Sequence, residues 1–384
     1  MIVPLLLLMA QAAISTSPSQ DDVIVTGRRA EKALEACLAR NCPPAEDVEA
    51  SLLSSVEQFA DGRYRDAQRT LQSAIRRNRD HAAELPGPVS SLYATLAKVA
   101  EHEGDTDLWR SSARNDVLVL RRHLGESNIA TLREELVFAD SMVGLGALDS
   151  AATNYHMVQQ KAAKRGEVKL AAHAAFRRAW LALMLGREKD AERFADEAVE
   201  IAGPGNRRML ELRDILHLRI AIRPSNEGAV DALAARLRQS TAEAPVILFQ
   251  RPVEDINPSQ TFIVRNPQLD SAIRFSDVGY WVRSDGRTAE VEVLRNSGLG
   301  PWASVILRQV RERRYVPLDV EPGHAGIYRI DRFTVRAAMG TPIGTRIKRR
   351  MGPLTVHVVD ITATDAMSAA HHERTQETGA NGGG

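Results

Sequence analysis

The two cysteines of this 384-residue chain, Cys37 and Cys42, lie five positions apart. That spacing is not the C-x-x-C of redox motifs. A tetrahedral zinc site would need further ligands, and no histidine falls near the pair. The chemistry left to them is a local disulfide, with Cys37 at the end of a helix over 30–40 and Cys42 just beyond it. The ten histidines are scattered, and His371-His372 lacks acidic or cysteine partners at ligand spacing. G-x-S-x-G, H-E-x-x-H, Walker A and G-x-G-x-x-G are absent, and Gly298-Leu299-Gly300 reads as a loop. No catalytic residue, no metal and no cofactor is predicted. Positions 251–350 hold 17 Lys+Arg against 11 Asp+Glu, a surplus of six. That surplus suits anionic partners or makes a solvated basic face. A net charge of +1 for the whole chain demands no nucleic acid.

The segments that carry these residues begin with an apolar start. Ile2 to Ala10 is almost wholly apolar, and Ala10-Gln11-Ala12 has the small-x-small form of a signal-peptidase site. The run is shorter than the ~20 residues a bilayer span needs. Cleavage after Ala12 and export follow, with no stable membrane span. The start carries no Lys or Arg, which keeps an uncleaved inner-membrane anchor as the alternative. After a polar stretch at 15–22 comes Val23-Ile24-Val25-Thr26-Gly27-Arg28-Arg29. Such a β-branched run pairs with an exposed sheet edge, or is a sticky terminal segment without a partner. From Thr364 onward the chain is polar and ends in glycines, a composition expected to be disordered.

Helical stripes fill positions 45–240. Val48, Leu52, Val56 and Phe59 recur at helical spacing. Gly62-Arg63-Tyr64 then turns into a second helix with Leu71, Ala74 and Ile75 inward. Turn glycines recur at Gly104, Gly146 and Gly186, spaced by 42, 42 and 40 residues, each between two stripes. Repeats of this kind mean helical hairpins stacked in a solenoid, because one hairpin cannot bury its own face. Gly62, Tyr64 and Ala67, with Ala74 seven positions later, resemble the second half of a tetratricopeptide repeat. The period exceeds the 34 residues of that family, which implies longer helices. Trp109 also departs, standing where other units place Ala67, Ala151 and Ala191. Phe59, Tyr64, Phe176 and Trp180 are expected in the core. A pair over 206–222 and 226–239 lacks the turn glycine and is expected to cap the array. The solenoid's concave face would bind a peptide or helix.

Pro245, Pro252, Pro258 and Pro267 puncture the join to the next domain, with strand candidates at Val246–Phe249 and Thr261–Val264. Val278, Tyr280 and Val282 then alternate with Gly279, Trp281 and Arg283. Asp285-Gly286 is a hairpin turn, and Ala289, Val291 and Val293 alternate with Glu290 and Glu292 on the return strand. Asn296-Ser297-Gly298 breaks it. Pro301 suits a helix's first turn, and Ala303, Ile306, Leu307 and Val310 form the stripe. Arg311, Arg313 and Arg314 set cations against the negative helix end, before Tyr315-Val316-Pro317. This order resembles the C-terminal domain of TonB-family proteins. The matching positions are Asp285, Gly286, Val291, Val293, Ser297, Gly298, Val310, Arg314, Tyr315 and Pro317. Gly323 and a strand around Phe333 extend the match, which runs from about Asp277 to Ala337. Leu354–Ile361 is a strand candidate outside the family pattern. The resemblance implies a periplasmic α+β module that engages outer-membrane receptors or other envelope proteins through an edge strand. Val23, Ile24, Val25 and Thr26 resemble the TonB box of TonB-dependent receptors, which implies pairing with the chain's own domain or with a second copy.

The expected fold class is α+β and multidomain: an N-terminal all-α tetratricopeptide-like solenoid, then a small α+β TonB-C-terminal-like domain. The expected divisions are 1–12 signal peptide, 13–44 cysteine-bearing segment, 45–240 helical repeats, 241–363 α+β domain with extra strands, and 364–384 tail. The expected function is a non-enzymatic periplasmic adaptor of the TonB-like envelope and transport class. Its partners would be envelope proteins or peptides, TonB-dependent receptors and further copies of itself among them. The rivals are a membrane-anchored TonB-type energy transducer and an enzyme on an unrecognised scaffold.

Overall fold

The computed structural model describes residues 29–144, 146–221, 227–235, 237, 245–251, 273–300, 302–321 and 324–362. The Ala10-Gln11-Ala12 site, Val23–Thr26, the Thr261–Val264 run, Pro301, Gly323 and the tail with His371-His372 lie outside the described residues.

The first helix, α1 (Arg29–Ala39), buries Leu34 and Cys37. It is closed by Asn41 in the left-handed region at φ 52°, a conformation Asn tolerates better than most residues. The reversal lets Cys42 N–H donate to the Cys37 carbonyl at 3.0 Å. It places Cys37 and Cys42 as a disulfide-bonded pair with Cα atoms 5.1 Å apart.

Four helical hairpins follow: α2 (Pro44–Ala60) with α3 (Tyr64–Asn78), α4 (Pro86–Glu103) with α5 (Thr106–Leu124), α6 (Ile129–Gly144) with α7 (Leu148–Lys164), and α8 (Val168–Met184) with α9 (Glu188–Ala202). The repeating glycine has one physical cause. Gly62, Gly104, Gly146 and Gly186 hold φ between 69° and 76°, where a side chain is strained. The next residue's N–H then reaches five residues back, to Gln58, Ala100, Met142 and Ala182, at 2.8 to 2.9 Å. This is the helix-ending bond that a left-handed cap residue permits. Ala67, Ala151 and Ala191, one turn into each second helix, are fully buried. Trp109 fits at the matching place in the second hairpin because Gly144 yields room. A Cβ on Gly144 would lie 3.2 Å from the Trp109 ring. A last pair, α10 (Arg207–Ala221) and the short α11 (Glu227–Ala234), closes the array.

The α+β part contains β1 (Ile247–Phe249), β2 (Arg274–Val282), β3 (Thr288–Asn296), α12 (Trp302–Arg311), β4 (Arg314–Tyr315), β5 (Ile327–Gly340) and β6 (Arg349–Asp360). β1 pairs with β4, and the other four strands form an antiparallel sheet in the order β3-β2-β5-β6. Val278, Tyr280, Val282, Phe333 and Val335 pack with Ile306 and Val310 of α12 on one face. The opposite face of β5 is buried as well, against the helical hairpins, so Asp331 to Ala337 is continuously buried. Alternation fails there because both faces are covered.

Two readings of the sequence are corrected. Val293 was expected inward, but it is 37% exposed. α12 has ten residues, about 15 Å of helix, and does not cover the whole of β3, a strand of nine residues or about 30 Å. Val291 lies in the covered part. Arg313 was expected at the surface, opposing the helix dipole. It is buried, with its Nη1 2.5 Å from Asp331 Oδ2.

Candidate interaction site

The residues matched to the envelope-domain motif mostly hold the hairpin against the helix end. Gly286 sits at φ 77°, and a Cβ there would lie 2.2 Å from the Tyr315 carbonyl oxygen. Tyr315 N–H donates to the Gly286 carbonyl at 2.8 Å. Asp285 Oδ1 accepts from Arg287 N–H at 3.0 Å. Ser297 N–H donates to the Phe275 carbonyl at 2.7 Å, and Gly298 follows at φ 76°. Val310, Tyr315 and Pro317 are buried, while Arg314 is half-buried and donates to the Arg313 carbonyl. Of the ten motif positions, Asp285, Val293, Ser297 and Gly298 are exposed. Beneath them Arg313 Nη1 also reaches Tyr280 Oη at 2.9 Å and Tyr315 Oη at 3.3 Å. Burial works against the Arg313 charge, yet the Tyr280, Tyr315 and Asp331 oxygens hold its pKa above the ordinary arginine value.

β2 is paired on both sides, and β5, the last strand of the resemblance, has β6 along its outer side. Among the described residues the free edges are therefore β3 and β6. Exposed Val293 and Leu294 lie on β3 between exposed Glu292 and Arg295.

The other face of the sheet makes a joint that was not read from the sequence. Arg332 is fully buried. Its guanidinium donates to the Phe59 and Ala60 carbonyls, the last of α2, at 2.7 and 2.6 Å. The same group pairs with Asp277 at 2.6 and 2.9 Å. Four residues on, Arg336 donates to the His102 and Glu101 carbonyls at the end of α4, at 2.6 and 2.7 Å. Arg350 donates to the Glu103 carbonyl. The final carbonyls of a helix lack partners within it and carry its negative dipole end. Arginines satisfy both needs. Phe275 sits on Gly62 and Ala338 on Gly104, where an added Cβ would lie 2.7 and 3.3 Å away, whereas Gly146 and Gly186 face open space. The sheet thus covers the first two hairpin turns and leaves the next two. Phe59 and Tyr64, expected as plain core, also line this joint: Tyr64 Oη is 3.2 Å from Arg332 Nη1. One signal was available. Arg332, Thr334 and Arg336 alternate with Phe333 and Val335, a polar strand face opposite an apolar one, which has to find polar partners.

His102 lies at the centre of this joint. Its Nε2 is 2.7 Å from Thr334 Oγ1, and its ring packs on Phe59, Tyr64 and His357. Burial, then His357, Arg332, Arg336 and Arg350, push the His102 pKa well below 6.5. Burial, then Arg336, bring His357 down to about 4. Both rings are neutral in the folded protein at neutral pH, whereas the unfolded chain takes up protons near 6.5. The contribution of these two histidines to stability is expected to be complete above pH 6.5. As pH falls toward 4, roughly 1.4 kcal/mol per pH unit is lost for each histidine. Denaturant midpoints taken from about pH 7.5 to 4.5 read this slope. His357→Gln should flatten it, and an unchanged slope would rule His357 out.

Among the described residues no group of His, Cys, Asp or Glu is arranged to hold a metal ion. No described helix is long and apolar enough to cross a membrane. The geometry defines an all-α region of helical hairpins followed by an α+β part. No family model matches the chain, and no curated protein matches it. Among solved structures, the crystal structure of BtubC (BKLC) from P. vanneervenii is similar at 14% identity over 55% of this chain and 87% of that chain, with a TM-score of 0.43.

Proposed function

We propose that the protein is a non-enzymatic, periplasmic protein–protein interaction adaptor of the TonB-like envelope class, with a tetratricopeptide-like solenoid as its second binding module. The observation that carries this reading is the free β3 edge beside a hairpin whose Asp-Gly turn is locked to Tyr315. An extended peptide adds to such an edge through backbone hydrogen bonds, with side chains such as Val293 and Leu294 setting preference. The buried arginine joint supports the adaptor reading, because it ties the sheet to the first two hairpins and leaves the edge exposed. The N-terminal Val23–Thr26 run is the occupant the sequence itself offers. The test is amide exchange over β3 and β6 in chains with and without residues 13–29, across protein concentration. Faster exchange along one edge after deletion is expected. Unchanged protection at every concentration would sink self-pairing, and crosslinking at Val293 in envelope extract would then look for a partner in trans.

A further inference from the structure

The connection between β5 and β6 is the most exposed apolar feature of the described residues. Ile343 is 105% exposed and Ile347 63% exposed, and Met351 is exposed just beyond them. Arg346 and Arg349 are exposed on the same hairpin. No Asp or Glu occurs between Asp331 and Asp360. The base of the hairpin is fixed. Met339 N–H donates to the Gly104 carbonyl at 2.9 Å, and Arg350 donates to the Glu103 carbonyl. Lys348 Nζ bonds Asp105 at 2.7 Å and lies 3.2 Å from Asp107. The tip is thus a convex apolar point, held on a rigid joint and flanked by cations.

We propose that this hairpin tip docks on an anionic lipid surface, with Ile343 and Ile347 entering the headgroup–acyl boundary and Arg346 and Arg349 meeting the lipid phosphates. A convex tip presents no groove for a peptide, and two isoleucines in water gain by entering an interface that also answers the charge. Because the base is already bonded to α4 and α5, little ordering is lost on docking. The attraction weakens with salt, since the two cations are exposed. The proposal stands on the tip alone and does not depend on the adaptor reading.

The test is sedimentation of the full chain with phosphatidylcholine vesicles, with and without phosphatidylglycerol. Residues 2–10 are kept in every protein compared, so their contribution is common to all. The wild type should partition to the anionic vesicles and release as salt rises. Arg346→Gln or Arg349→Gln should each lower partitioning roughly five-fold. Ile343→Ser with Ile347→Ser should lower it at least as much, with melting unchanged because both side chains lie in water. Equal partitioning of wild type and the isoleucine variant, or none to anionic vesicles, overturns the proposal. A concentration-dependent dimer lost in the isoleucine variant, without vesicle binding, would make the tip a contact between copies and overturn it too.

Discussion

Arg332→Met is expected to lower the free energy of unfolding by about 3–5 kcal/mol, the range for breaking a buried ion pair from one side. The side chain is fully buried and has no water to fall back on. Its loss leaves Asp277 with Arg295, 2.7 Å away and partly solvated. It also removes the donor to the Ala60 carbonyl at the end of α2, while the Phe59 carbonyl keeps the Gly62 N–H at 2.9 Å. Methionine fills much of the volume but offers no donor. Arg336→Met is the matched control. Burial, then Arg350, lower the Arg336 pKa to about 10, with Glu101 the opposing charge. Among the described residues no carboxylate hydrogen-bonds this guanidinium, so removing it also removes a poorly compensated charge, and the loss should be smaller. Chemical denaturation followed by helix and tryptophan signals reads both. A loss for Arg332→Met no larger than for Arg336→Met would mean that the Asp277 pair contributes little to the joint.

The contrast between these arginines shows what a sequence can disclose. The hairpin turns were legible because one local requirement, a left-handed residue ending a helix, recurs at Gly62, Gly104, Gly146 and Gly186. The Asp285-Gly286 turn was legible for the same kind of reason. The joint was not, because its bonds link residues more than 200 positions apart: Arg332 with Phe59, Arg336 with His102, Arg350 with Glu103. The strand candidate at Leu354–Ile361 left out Arg349 and Arg350, and two arginines suit a strand only when another element supplies acceptors, as the Glu103 carbonyl does for Arg350. β6 begins at Arg349 instead of Leu354 for that reason. Arg313 was misplaced by the same limit. Three arginines near a helix end suggest a solvated dipole partner, and only Asp331, 18 positions on, shows that one of them is internal.

Arg313→Met is expected to cost about 3–5 kcal/mol as well, but its partner variant decides what the pair is for. Arg313 and Asp331 are both buried, 2.5 Å apart, inside the apolar core between sheet and α12. Without the guanidinium, the ion pair left to Asp331 among the described residues is with Arg329, 3.8 Å away, and Tyr280 Oη stays 2.9 Å from its carboxylate. The uncompensated carboxylate is the source of the loss. Removing both charges, as Arg313→Met with Asp331→Leu, removes that source. Tyr280 and Tyr315 still bond each other at 2.9 Å, and apolar replacements of buried pairs are often neutral or stabilising. The double variant should therefore recover at least half of the loss seen in the single one. Equilibrium unfolding of the wild type, both single variants and the double variant gives the coupling directly. Such recovery would mean that the pair contributes little net stability. It would then act chiefly to fix how β5 registers against α12 and Tyr315, and so to set the hairpin that carries the free β3 edge. A double variant as unstable as Arg313→Met alone would show instead that the four-residue polar cluster stabilises the core in its own right.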